Sequence, residues 1–258
     1  MNSSQFLLRG WQWNPALLLL CGAAICGYFV IFGRRGRGRS SYFVTGLILF
    51  LLALLSPLAA LANGYLFSAH MTQHILLVLV VPALLLLSLP RTASLPRSLQ
   101  VFAQPLVGWG AGVGAMWLWH TPALCNAANS SRSVFAVETV TLIIMGGLFW
   151  WQVIAPREAD RLPPLFGMGY LFTACVACSL LGIIITFAPV SVCPIFQHPV
   201  DQLGMLSTIR NDWGLTIERD QQIGGLLMWV PMCLIYATAI LAQLGRLHAS
   251  EASEERHA

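Results

Sequence analysis

Leu66 to Leu89, LFSAHMTQHILLVLVVPALLLLSL, is the stretch that decides how the chain is read: 24 residues without one Asp, Glu, Lys or Arg. At 1.5 Å per residue a helix of that length reaches about 36 Å, enough to cross the hydrocarbon core of a bilayer. Most of its polar side chains, Ser68, His70, Thr72, Gln73 and His74, crowd its beginning. The remainder is continuous Ile, Leu, Val and Ala, broken only by Pro82 and Ser88.

Working outward, six further apolar runs cover 15–32, 42–62, 104–120, 134–154, 165–188 and 223–244. Together they predict an all-α polytopic membrane protein, a bundle of about seven transmembrane helices. Composition supports this: 57% of the residues are hydrophobic and only 9% charged, with a mean hydropathy of +0.72. A soluble domain carries about 25% charged residues, so water cannot be the solvent for most of this chain. Pro57, Pro82 and Pro231 fall in or near the runs and are expected to kink their helices. The first run, Pro15 to Phe32, has no basic stretch before it and no small-residue cleavage site after it. It reads as a retained helix and not as a secretory signal.

All fourteen basic residues are Arg. Arg34, Arg35, Arg37, Arg39, Arg91, Arg97, Arg157, Arg161, Arg246 and Arg256 fall on one side of the predicted bundle; Arg9, Arg132, Arg210 and Arg219 fall on the other. The positive-inside rule then places the N-terminus outside and the C-terminus in the cytoplasm, in the cell inner (plasma) membrane. Residues 1–245 read as a single transmembrane domain. Residues 246–258, rich in Ser, Glu and Ala, read as a short disordered cytoplasmic tail. The longest connection, about Ala188 to Gln222, lies on the outer face. Most of Trp11, Trp13, Trp117, Trp119, Trp150, Trp151 and Trp229 read as interfacial anchors.

Ionisable groups inside a membrane are costly and mark function. His70 and His74 are spaced i, i+4, which puts both imidazoles on one helical face. Two neutral imidazoles so placed can grip copper or zinc, or one can ligate haem; the bland alternative is a hydrogen-bonded interfacial pair. His120, in Trp119-His120-Thr121-Pro122, ends the fourth run at the same predicted level, where a lone His can also be only a cap. Glu138 and Asp220 begin two helices at that level, where the macrodipole alone favours an acid. Asp220, Gln221 and Gln222 can also orient a ligating imidazole. Met71 and Met228 offer thioethers, although such residues more often fill space.

Cys21, Cys26, Cys175, Cys178 and Cys233 fall within apolar runs and read as small packing residues, with a thiolate relay through Cys175 and Cys178 as the sharper alternative. Cys125 and Cys193 belong to two outer loops and are expected to form a disulfide or to offer sulfur jointly to a metal. The sequence contains no Gly-rich phosphate loop, nucleophile elbow or Walker pattern.

Ser56-Pro57, with Phe67-Ser68-Ala69-His70-Met71-Thr72-Gln73-His74, resembles the second-to-third helix signature of the multi-spanning CtaG proteins, cytochrome c oxidase assembly factors. Trp119-His120-Thr121-Pro122-Ala123-Leu124, Phe149-Trp150-Trp151 and Leu181-Gly182 with Thr186-Phe187-Ala188-Pro189 resemble its later helix ends. Asp220-Gln221-Gln222-Ile223-Gly224-Gly225-Leu226-Leu227-Met228-Trp229-Val230-Pro231 is the most specific match. The resemblance spans about residues 50 to 245 with the motifs in order. It implies a seven-helix protein, without turnover chemistry, that matures the copper centre of a haem–copper oxidase by binding or relaying copper. It carries His70, His74, His120 and Asp220 over as functional positions. Two departures stand out: Thr139 follows Glu138 where the family usually has histidine, and Cys125 and Cys193 stand where it more often has tyrosine.

The expected function is therefore an oxidase assembly factor and not an enzyme. Copper is held by His70, His74 and His120, with Met71 or Met228 as soft ligands, and Glu138, Asp220 and Gln222 supporting. The expected partners are a haem–copper oxidase subunit, periplasmic copper chaperones and membrane lipid, with no nucleic acid. The alternatives are a haem b redox protein, a copper transporter, and a metal-dependent membrane enzyme using Asp220 or Glu138 as base. Ligands clustered at one face argue against transport, and no reaction-specific spacing supports the enzyme.

Overall fold

The computed structural model describes residues 2–33 and 38–254, and every regular element among them is a helix. In chain order these are α1 (Ser3–Arg9), α2 (Pro15–Phe32), α3 (Ser40–Leu55), α4 (Pro57–Ala62), α5 (Phe67–Ser88), α6 (Pro105–Trp119), α7 (Pro122–Ser130), α8 (Arg132–Ile154), α9 (Pro164–Phe187) and α10 (Ile217–Glu254). Helices α2, α5, α8, α9 and α10 are long and apolar enough to cross a membrane, and α3 is a shorter apolar helix. The chain is a membrane protein built of helices. Arg34, Arg35, Arg37 and Arg256, which contribute to the expected orientation, lie outside the described residues.

Each predicted proline acts differently. At Pro57 the helix breaks: Ser56 is extended, and its hydroxyl accepts from the Leu58 N–H at 3.2 Å to start α4, so the run 42–62 is two helices. Pro82 lacks the N–H that would bond the Val78 carbonyl, and the turn before it widens into a π segment at Leu76–Val80. The neighbouring α8 exploits that turn, because Gly146 lies so close to the Val78 carbonyl that a Cβ would collide with it. Pro231 is carried inside the unbroken α10.

Of the expected disordered tail, residues 246–254 are helical, and residues 255–258 lie outside the described residues. Ala and Glu are strong helix formers, so polarity there does not prevent α10 from propagating. Arg246 also donates to Gln243 Oε1 at 2.6 Å and lies 3.6 Å from Glu158. A second correction concerns the aromatic residues. Trp11, Trp13 and Trp117 face outward, but Trp119, Trp150 and Trp151 are buried in the bundle. Trp119 keeps its indole satisfied by donating to Thr141 Oγ1 at 2.9 Å.

Helices α5, α6, α8, α9 and α10 enclose the main apolar core, which contains Met71, Met116, Phe149, Leu171, Ile185, Met228 and Met232. The starts of α5, α8 and α10 and the ends of α6 and α9 come together at one end of the bundle, and the polar side chains singled out above gather there.

Candidate metal centre

Position begins with how α5 starts. Leu66 precedes the helix and has no side-chain oxygen to cap it, so the first N–H groups need acceptors from elsewhere. Asp220, from the first turn of α10, supplies them. Its carboxylate accepts from Phe67 N at 2.7 Å, from Ser68 N at 3.1 Å and from the Ser68 hydroxyl at 2.5 Å. The carboxylate is buried, which is tolerable because it is fully engaged and sits at the positive end of α5. Gly224, one turn further along α10, makes the approach possible: a Cβ there would strike the Phe67 ring and lie 3.2 Å from Met71 Cγ. Gln73 fixes the opposite side by donating to the Ala53 carbonyl of α3 at 2.6 Å. Asp220 therefore orients the whole histidine-bearing helix through its backbone, and not an imidazole by a direct bond.

On the helix so placed, His70 and His74 turn their Nε2 atoms toward each other, 3.1 Å apart. Glu138 Oε1, from α8, lies 3.2 Å from His74 Nε2 and 3.8 Å from His70 Nε2. One ligand atom from each of the three lies within 4.8 Å of the others, and all three residues are buried. Glu138 thus belongs with the histidines themselves and not behind them. His120, following α6, stands beside this group, with its ring centroid 4.9 Å from that of His74. Its Nδ1 lies 2.5 Å from the Met116 carbonyl. A carbonyl can only accept, so Nδ1 carries the proton and Nε2 presents a lone pair. That lone pair faces Met71 Sδ at 3.1 Å.

The remaining expected residues are placed elsewhere. Met228 belongs to the packed core. Gln222 is exposed and lines a cavity of about 370 Å³ with Glu218, Gln221, Gln197 and Thr186. Cys125 and Cys193 are joined in a disulfide, so neither sulfur is a thiolate ligand in this structure. Thr139 is buried beside Glu138, and its hydroxyl has no partner among the described residues.

Phe196 carries no polar signal in the sequence, yet it closes the centre. Its ring centroid lies 5.8 Å from that of His70 and 5.9 Å from that of Phe67. The disulfide ties the Phe196 segment to α7, and Ile195 N donates to Asn126 Oδ1 at 2.9 Å. Gln221 holds the start of the same loop, accepting from Val192 N and donating to the Ile185, Ala188 and Val190 carbonyls.

Whether these residues suit a cation follows from what they lack. Among the described residues Glu138 has only histidine partners within ion-pair distance. Nδ1 of His70 and Nδ1 of His74 have no hydrogen-bond partner there. An anionic carboxylate shut away from water without a compensating cation is costly. Three imidazoles, a thioether and one carboxylate form a donor set suited to copper. The residues fit such an ion.

An uncharacterized protein of Mycobacterium leprae (strain TN) is 24% identical to this chain, over 94% of this chain's length. The chain spans about 40% of that relative's length. No solved structure matches. The family Caa3_CtaG, described as the cytochrome c oxidase caa3 assembly factor, matches residues 26–250, a range that includes every residue of the histidine centre and of its Asp220 support. This chain belongs to the cytochrome c oxidase caa3 assembly factor family.

Proposed function

We propose that this protein carries copper at the outer end of its bundle and passes it to a haem–copper oxidase subunit while the oxidase copper centre is being assembled. In this reading the bundle crosses the inner membrane seven times, with the N-terminus outside, and periplasmic copper chaperones supply the ion. His70, His74 and His120 hold the copper through Nε2, Met71 adds a soft sulfur, and Glu138 balances the positive charge. Phe196 and the loop tied down by the disulfide keep water out, so handover requires that loop to move. No residue is assigned a turnover step.

The observation that carries this reading is the convergence of His70 Nε2, His74 Nε2 and Glu138 Oε1 within 4.8 Å in a buried pocket. The haem b alternative gains no support from the same geometry. Ring centroids separated by 4.4 and 4.9 Å leave no gap for a macrocycle between the histidines. Metal analysis of the purified protein beside His70→Ala and His74→Ala variants tests the proposal. Each substitution is expected to lower copper retention roughly 100-fold or more, since outer-shell changes alone cost about 10–100-fold. Equal copper in all three proteins would overturn it.

A further inference from the structure

Three free thiols gather in the seam between α9 and α10, away from the histidine centre. Cys175 Sγ of α9 lies 3.3 Å from Cys233 Sγ of α10, and Ser179 Oγ lies 3.1 Å from the same Cys233 sulfur. One turn along, Cys178 Sγ faces the Tyr236 hydroxyl at 3.8 Å. Cys175 with Cys178, and Cys233 with Tyr236, are i, i+3 pairs, so each pair lies on one face of its helix and the two faces meet in this seam. Cys233 lies nine residues past Gly224, the α10 residue packed against Met71, or about 13 Å along the helix axis. This is mid-depth in the bundle, where packing alone requires no sulfur–sulfur contact between helices.

We propose that Cys175 and Cys233 form a second metal site, selective for a soft monovalent cation, Cu(I) or its analogue Ag(I), held by both thiolates once the sulfurs, 3.3 Å apart without it, separate to admit it. Thiolates select Cu(I), whereas carboxylates and water suit harder ions. Among the described residues, the polar atoms bonded to the pair are the two sulfurs and the Ser179 hydroxyl, with no carboxylate or imidazole. Binding makes two metal–sulfur bonds and breaks two S–H bonds, whose protons leave to the medium. The metal keeps its oxidation state, so no oxidant or reductant takes part. The complex carries one negative charge, which the Ser179 hydroxyl offsets by donating to Cys233. This site uses none of the histidine ligands and binds its ion whether or not they bind theirs.

The full-length protein, purified anaerobically in detergent, is titrated with Cu(I) against a chromophoric chelator. The same titration is run on His70→Ala/His74→Ala and Cys175→Ser/Cys233→Ser double variants. The cysteine variant is expected to lose one equivalent that the histidine variant keeps, and copper X-ray absorption of the histidine variant is expected to show sulfur neighbours only. In the unmutated protein, Ag(I) is expected to slow maleimide labelling of Cys175 and Cys233 at least tenfold while the exposed Cys26 still reacts. Unchanged Cu(I) uptake in the cysteine variant, a nitrogen-only shell in the histidine variant, or labelling indifferent to Ag(I) would each overturn the proposal. Loss of nitrogen-bound copper with the sulfur-bound equivalent intact would leave it standing and bear only on the histidine reading.

Discussion

The two ends of the long helices treat acidic side chains in opposite ways. Near the start of α8, Glu138 is about 1% exposed and is approached by two imidazoles, while Asp220 of α10 is buried against the N-terminus of α5. Just past the end of α8, sixteen or more residues and about 24 Å further along, Glu158 and Asp160 keep side-chain exposures of 80% and 22% and pair with Arg246 and Arg157. Water and salt screen the second set, so its geometry matters little to stability. The first set has no such relief: every charge there must be matched by a specific neighbour. Conformational specificity, and the chemistry, should therefore reside at the histidine end.

The sharpest way to break that contrast is Asp220→Ala. It strips acceptors from two backbone N–H groups and the Ser68 hydroxyl at once. Buried groups bonded to a charge cost about 3 kcal/mol when their partner is removed, so unfolding in detergent should show a loss of that size. Asp220→Asn keeps one acceptor oxygen and should lose about half as much. A loss below about 0.5 kcal/mol for Asp220→Ala would mean α5 does not depend on this cap. Next in size is Glu138→Gln, where two readouts should separate. Removing a buried charge costs the metal-free protein nothing or stabilises it. Copper retention, in contrast, should fall about 10–100-fold, equivalent to about 1.4–2.7 kcal/mol. If stability and copper retention fell together, Glu138 would be a structural member and not a counter-charge.

Much of this architecture is legible in the chain alone. Apolar runs place the helices because membrane spans are long and uniform, and the His70–His74 spacing puts two rings on one face because a helix repeats every 3.6 residues. What stays hidden depends on distance in sequence. Asp220 caps a helix that begins 153 residues earlier; end-capping rules look for the acceptor just before the helix, where Leu66 offers none. Glu138 reaches His74 across 64 residues, so its depth is legible but its direct contact is not. Phe196 escapes notice because an apolar residue in a loop carries no chemical signal, although it forms the cover of the site. The end of α10 misleads for a different reason: charge and small size suggest disorder, yet Ala and Glu favour helix.

The smallest expected effect closes the contrast from the other side. Glu158→Ala removes the carboxylate that lies 3.6 Å from Arg246. Arg246 keeps its bond to Gln243 Oε1 at 2.6 Å, so the guanidinium is not left without a partner. An exposed pair of this kind contributes about 0.5 kcal/mol or less, and less again at high salt. Unfolding curves of Glu158→Ala in detergent should lie within that margin of the unmodified protein, and copper retention should not change. A loss of about 2 kcal/mol or more, well above what a screened pair supplies, would show that the helical extension of α10 past Arg246 is held by this contact. The two ends of the bundle would then be equally demanding, and the argument that buried charge singles out the histidine end would fail.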